Sequence, residues 1–276
     1  MSNNKMDAYI KKLYVHTDGS FDLKNIDANN TFHLDEKKQA KKTLKQLQNE
    51  LKELQNILYA QAKHAVLIVL QAIDTGGKDS TIRHVFGPLN PQGVRVISFK
   101  VPTSVELAHD YLWRIHKEIP PKGMIHVFNR SHYEDVLVVR VHQLAPKNVI
   151  EKRYDQINAF EKYLTENGVA IIKFFLHISK DEQKRRFQSR LDRPEKHWKF
   201  NQDDLKERAQ WDNYMRVFNI ALNRCSTKYA PWYVIPANYK WARDVFVADI
   251  ILKTLKKLNL KYPATEEGLN NIIIPD

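Results

Sequence analysis

The 276-residue sequence holds a single cysteine, Cys225. A disulfide framework and a cysteine-ligated zinc site are therefore excluded, and the expected setting is a reducing compartment, the cytoplasm. Long apolar runs are missing as well. The hydrophobic stretches reach roughly ten residues, short of the ~18 needed to cross a bilayer, and the amino-terminal "MSNNKMDAYIKKLYV" lacks the apolar core of a secretion signal. No membrane association is expected. Internal repeats, low-complexity tracts and Gly/Ser-rich linkers are absent too, so nothing marks a domain boundary. Negative charge is the scarcer sign: 44 Lys and Arg face 32 Asp and Glu, a formal net charge of +12. Such a surplus attracts polyanions, whether nucleic acid, anionic lipid or a phosphate-rich substrate.

What is present suffices for one large core with an appendage: 43% of the residues are hydrophobic, and the chain exceeds the ~150 residues typical of a single domain. From Asp35 to His64 there is no Gly or Pro, and Leu44, Leu47, Leu51, Leu54 and Leu58 recur at three- and four-residue spacing. That pattern predicts a long amphipathic helix that packs on the core or pairs with a second copy. The preceding "HTDGSFDLKNIDANNTF" reads as an irregular arm. Short apolar runs then alternate with helical stretches: 66–70, 94–99, 124–128, 169–178 and 232–236. Continuous hydrophobicity predicts strands buried on both faces, and the helical spacers predict crossovers, hence an α/β fold with a parallel sheet.

The first of these runs enters "AIDTGGKDS", residues 72–80. A strand that leads through a Gly-rich turn into a helix aims backbone N–H groups and a helix dipole at an anion. The Walker pattern G-x-x-x-x-G-K-[ST] is matched except that Ala72 replaces the first glycine and Asp79 the hydroxyl residue. Gly76 and Gly77 permit close backbone approach, Lys78 neutralises phosphate oxygens, and Thr75, Asp79 and Ser80 complete the candidate phosphate cradle. Asp74 inside the loop would repel an anion unless a cation intervened, so Mg²⁺, with Mn²⁺ as a substitute, is the expected cofactor. Asp74 as a turn residue and Asp79 as a helix-start charge are the plainer alternatives.

The run at 124–128 delivers "NRSHYED", residues 129–135, at its carboxyl end, where ligands bind in open α/β sheets. Asp135 or Glu134 is placed to hold a metal, and Arg130 to stabilise a transferring phosphoryl group; a solvated Arg130–Glu134 helix pair is the alternative. His132 is given no catalytic role. Between 179 and 210 lies a polar, basic insertion, "DEQKRRFQSRLDRPEKHWKF" within it. Arg186 and Arg190, four apart, should repel unless an anion sits between them. With Phe187, Trp198 and Phe200 as anchors, the segment reads as a lid that closes on phosphates and excludes water, or else as a solvated face.

Taken together, "QAIDTGGKDSTIRHVFGPLNPQGVRV", "VPTSVELAHDYLWRIH", "FNRSHYEDVLVVRVH", "FFLHISKDEQKRRFQSRLDRPEKHWKF" and "YAPWYVIPA" resemble the polyphosphate kinase family 2 proteins, continuously from about Tyr14 to Tyr262. The class that phosphorylates both AMP and ADP is the most similar. The resemblance implies a thymidylate-kinase-like P-loop kinase, a three-layer α/β/α fold with a five-stranded, mainly parallel sheet. Within it the arm spans 1–34, the long helix 35–64, the core 65–178 and 211–276, and the lid 179–210.

The resemblance further implies Mg²⁺-dependent, reversible phosphoryl transfer between inorganic polyphosphate and purine nucleotides. By position, Asp74 and Lys78 match the family's Walker A acid and lysine, Asn129, Arg130, Glu134 and Asp135 its Walker B region, and Arg186 and Arg190 its lid arginines. The expected metal ligands are Asp74 and Asp135, and the expected nucleotide contacts Asn129 and Glu134. Arg83, Arg193, Lys196 and Lys199 are expected along the polyanion path. No nucleic-acid partner is expected, and the expected assembly is a homodimer or homotetramer. An ATP-dependent nucleoside monophosphate kinase and a non-catalytic nucleic-acid binder are the rival readings.

Overall fold

In the computed structural model, residues 9–32, 34, 36–265, 272 and 274–275 are described. Five strands, β1 (Ala65–Gln71), β2 (Val94–Ser98), β3 (Ile125–Asn129), β4 (Val169–His177) and β5 (Trp232–Pro236), form one sheet in the order β2-β3-β1-β4-β5. Every pairing is parallel, so the sheet is wholly rather than mainly parallel. All residues of β1 and β5 are buried, because helices cover both faces and each buried aliphatic side chain adds about 1.5–3 kcal/mol. Strand β2, at an edge, is partly exposed and carries Arg95, a charge that discourages further strand pairing.

The long helix, α1 (Lys37–Gln61), is shorter at both ends than its sequence pattern, and Asp35 lies outside the described residues. It buries Ala40, Leu47, Leu51, Gln55 and Leu58, while Leu44 and Leu54 pack at the margin of the same core. The helix thus lies on the body of the protein, principally along the last helix. Gln55 is buried yet satisfied: its amide donates to the Asn90 carbonyl (2.8 Å) and its carbonyl accepts from Asn90 N (2.9 Å). In the amino-terminal arm, residues 1–8 and 33 lie outside the described residues; residues 9–13 are helical and the stretch beyond is irregular. The arm is packed rather than loose. Leu13 and Val15 are buried, and Val15 N donates to Trp232 O beside an antiparallel bridge between Tyr14 and Tyr233.

The remaining helices place the site. After β1 the chain turns into α2 (Lys78–Thr81), which widens into a π-helical turn over Ile82–Phe86, a distortion that often marks function. Helix α3 (Lys147–Glu166) crosses from β3 to β4, and α4 (Lys180–Leu191) leaves β4 with Ser179 as its N-cap. Then follow a 3₁₀ stretch (Pro194–Lys199), α5 (Asp203–Ala209), α6 (Trp211–Cys225) and, after β5, α7 (Lys240–Lys257). The carboxyl ends of β3, β1 and β4 stand side by side, and the loops they release meet above that edge.

Candidate active site

Strand β1 ends in the turn 72–77, in which two positions require glycine. A methyl on Gly76 would lie 2.9 Å from Ile73 O and collide with the Ala72 side chain. Gly77 has φ +106°, and a methyl there would strike the guanidinium of Arg243. Thr75 and Arg130 take left-handed backbone conformations without being glycine (φ 60° and 65°). Each costs on the order of 1 kcal/mol, a strain that concentrates at functional sites.

The two loops meet because their strands do. Leu70 pairs with Asn129 across β1 and β3, and Arg130 N donates to Leu70 O (3.1 Å). That register sets the Arg130 guanidinium between two carboxylates, 3.0 Å from Asp74 and 3.9 Å from Glu134. Arg130–Asp74 is a tertiary contact, and Arg130–Glu134, though four residues apart, joins a strand end to a 3₁₀ turn rather than lying along a helix. Burial raises the Glu134 pKa, against the pull of Arg130 and Lys78. Burial likewise lowers that of Lys78, whose ammonium donates to the Ala72 carbonyl (2.9 Å).

Two cavities share the Asp74–Arg130 pair as a common wall. One, of about 600 Å³, is lined by the whole loop from Thr75 to Ser80, by Asn129, and by Arg83, Arg190, Arg193, Lys196 and Lys199. Its lining includes ten Lys and Arg residues and two acids, Asp74 and Asp79. The other, of about 310 Å³, is lined by Glu134, by the aromatic Trp211, Tyr214 and Phe218, and by Asp203, Asp204 and Glu207. Asn129 and Glu134 thus sit in different cavities: the Asn129 amide donates to Asp79 (2.8 Å) on the phosphate-loop side.

Four expectations need correction. Asp135 does not join Asp74. Glu134 and Asp135 occupy neighbouring positions of a 3₁₀ turn (His132–Asp135) and line different cavities. Asp135 faces a separate cavity, held by Arg153, which donates to its carboxylate (3.3 Å) and its carbonyl (2.9 Å). The acid that shares a cavity with Asp74 is Glu134. Secondly, Arg186 is not displayed on a lid surface. It is buried beneath the loop, donating to Glu182 (2.6 Å), Thr75 O (2.9 Å), Ala237 O (2.5 Å) and Asn238 O (3.2 Å). Thirdly, the expected Arg186–Arg190 repulsion is met from within: Glu182 neutralises one, and Asp204 (3.5 Å) and the Lys199 carbonyl (2.9 Å) engage the other. Fourthly, Trp198 is 79% exposed and meets the Lys199 ammonium (4.7 Å from its ring centre) rather than the core, whereas Phe187 is buried against Phe200.

One supporting group leaves little local sequence signal of its role. Arg243, fully buried in α7, reaches under Gly77, donates to Ser80 Oγ (3.0 Å) and pairs with Asp244 (2.6 Å). Asp244 in turn accepts from His84 Nδ1 (2.9 Å). The 131–135 turn is fixed from below in a similar way. His132 and Tyr133 contact Glu161 of α3 (3.2 and 2.9 Å), and Glu161 pairs with buried Lys173 (2.5 Å). His132 is accordingly structural.

Among the described residues no three His, Cys, Asp or Glu side chains cluster as a metal site. Asp74 and Glu134, two carboxylates that line one cavity on either side of Arg130, offer the hard oxygen ligands that Mg²⁺ takes, one or two carboxylates with substrate phosphates and water completing its shell.

This geometry accompanies close likeness to known proteins. The family model described as Polyphosphate kinase 2 (PPK2) matches residues 34–263. The chain belongs to the polyphosphate kinase 2 family. An AMP/ADP-polyphosphate phosphotransferase of Meiothermus ruber is 53% identical over 266 residues, covering 96% of this chain and all of that one. An ADP-polyphosphate phosphotransferase of Rhodopseudomonas palustris is 47% identical, covering 78% of each. The crystal structure of Polyphosphate Kinase 2 from Arthrobacter aurescens TC1 superposes with a TM-score of 0.92 at 43% identity, over 95% of this chain and 93% of that one. The P-loop kinase fold expected of a polyphosphate kinase 2 protein is thus the observed one. No helix among the described residues is long and apolar enough to cross a membrane.

Proposed function

We propose that the protein is a polyphosphate-dependent nucleotide kinase that transfers a phosphoryl group reversibly between inorganic polyphosphate and AMP or ADP, with GMP and GDP as further acceptors. The observation that carries this is the pair of cavities meeting at Asp74 and Arg130. The basic one suits a chain of phosphates, since a nucleoside triphosphate needs a few cations and a polymer needs a track. The aromatic one suits a nucleoside, its ring against Trp211, Tyr214 and Phe218. The names of the relatives agree with both substrates.

In this reading Lys78, Arg190, Arg193, Lys196 and Lys199 hold the donor chain, and Arg130 lies between donor and acceptor, where it stabilises charge spread over the transferring phosphoryl. Asp74 and Glu134 orient Arg130 and would hold Mg²⁺, which would supply neutralisation of phosphate charge. Arg186, Arg243 and Gly77 act by fixing the loop. The 179–210 segment serves as lid, apart from the core at 65–178 and 211–276. Assembly as a homodimer or homotetramer and residence in the cytoplasm are parts of the same proposal.

Replacing single residues tests the assignment. Lys78→Ala, Arg130→Ala and Asp74→Asn should each lower turnover with polyphosphate and AMP by about 10²-fold or more at unchanged circular dichroism. Asp135→Asn, away from the meeting point, should cost under tenfold. Equal losses for Asp135→Asn and Asp74→Asn would reinstate Asp135 at the centre. An enzyme served only by ATP as donor would be a nucleoside monophosphate kinase instead.

A further inference from the structure

Two long helices begin at a groove that adjoins the phosphate cavity, each with lysine in its first turn. The first turn of α1 contains no acid, and Glu36 makes no side-chain cap; Lys37, Lys38, Lys41 and Lys42 crowd there instead. The first turn of α7 likewise has no acid and its Tyr239 cap makes no side-chain hydrogen bond, while Lys240 opens the helix. Cations at the positive end of a helix, and like charges at i, i+4 such as Lys37 and Lys41, are unfavourable by a few tenths of a kcal/mol or more each. Both helix starts face one groove of about 490 Å³, which also receives His84 and Arg185.

The groove is electrically unfinished. Among the described residues lining it the one acid is Asp244, and its two oxygens are taken, one by Arg243 (2.6 Å) and the other by His84 Nδ1 (2.9 Å). That contact presents the far edge of the His84 ring outward, and the side chain is 50% exposed. Burial and the neighbouring Arg186 and Arg243 lower the Lys240 pKa against the pull of Glu182, whose carboxylate is already shared by Arg185 and Arg186. The groove is continuous with the phosphate cavity, since His84, Arg185 and Lys240 line both.

From this continuity we infer that the groove is a second anion site for the distal phosphates of a long polyphosphate chain, held by Lys37, Lys41, His84, Arg185 and Lys240. A linear polyanion is the one substrate of the proposed reaction that reaches from the phosphate loop to the start of α1. The inference rests on the polyphosphate reading of the main site, and it makes chain length the readout. Short donors end within the loop cavity; long ones gain the groove.

The test compares wild type, Lys37→Glu/Lys41→Glu and a control, Lys38→Glu/Lys42→Glu, which makes the same charge change on a neighbouring face of the same helix. Each is assayed with long-chain polyphosphate and with tripolyphosphate as donor. The groove variant should raise KM for the long chain roughly tenfold, keep kcat, and move KM for tripolyphosphate less than twofold. The control should stay within about twofold on both. Binding of fluorescently labelled long-chain polyphosphate without nucleotide, followed by anisotropy, should weaken in parallel. An unchanged long-chain KM and affinity in the groove variant, or an equal loss in the control, would overturn the inference while leaving the kinase intact. A wild type inactive with both donors would overturn the reading beneath it.

Discussion

Gly77→Ala is the sharpest single perturbation of the phosphate loop. At φ +106° an added Cβ meets backbone strain of about 1–2 kcal/mol, and it would lie 3.3 Å from Arg243 Cζ, with Nη1 closer still. That guanidinium has little freedom to retreat: it is fully buried and tied to Asp244 and Ser80. Overpacking of this kind adds about 1–3 kcal/mol, for a total of about 2–5 kcal/mol. Gly19→Ala supplies the comparison, because Gly19 also has positive φ (+74°) but nothing within 4 Å of its hypothetical methyl. It should show the strain alone. At roughly 2–4 °C per kcal/mol for a chain of this size, the overpacking alone should place Gly77→Ala about 2–12 °C below Gly19→Ala in thermal unfolding. Because the loop must shift to relieve the clash, turnover should also fall about 10²-fold. Equal melting temperatures for the two variants, with wild-type turnover in Gly77→Ala, would refute the claim that Arg243 braces the loop from beneath.

Other consequences follow from the buried charges. Arg186→Ala should lose about 3 kcal/mol or more in urea unfolding, since it leaves three carbonyl acceptors without their buried donor while Arg185 still pairs with Glu182, and Arg186→Lys should not restore it, lacking the planar fork. The native Glu134 pKa is raised, chiefly by burial, so its ionisation opposes folding: that cost is absent below the ordinary value of 4.5 and complete only above the raised native one. The stability advantage of Glu134→Gln over wild type should therefore shrink as pH falls through that window, and a pH-independent difference would contradict the burial argument. Cys225, its thiol pushed up to about 12 by burial, should resist iodoacetamide in the native protein at pH 8 and react in denaturant.

The strands were legible because each is a short apolar run with covered faces; β5 has the bounds its sequence suggests, and β1, β3 and β4 shift by a residue. The phosphate loop was legible for the same local reason, as glycines and Lys78 sit within one turn. What sequence alone hid was direction. Glu134 and Asp135 are neighbours on a 3₁₀ turn, and only the fold decides that Glu134 faces Asp74 while Asp135 faces Arg153. Helical spacing put Arg186 and Arg190 on one face, yet α4 lies so that the first is buried under the loop and the second reaches its rim. The brace from Arg243 to Ser80 spans 163 positions. Its one trace in the sequence is an Arg–Asp pair at the start of the otherwise apolar "VFVADIIL", a charge that must find a buried partner.

The central claim is that this site moves phosphoryl groups from polyphosphate to a nucleotide. The most direct measurement supplies ³²P-labelled long-chain polyphosphate, Mg²⁺ and unlabelled AMP to the purified protein in the absence of ATP. The account predicts label first in ADP and then in ATP, with neither formed by Lys78→Ala at a comparable rate. Label that stays in polyphosphate, or passes only to inorganic phosphate, whichever of AMP, ADP, GMP or GDP is offered, would contradict it.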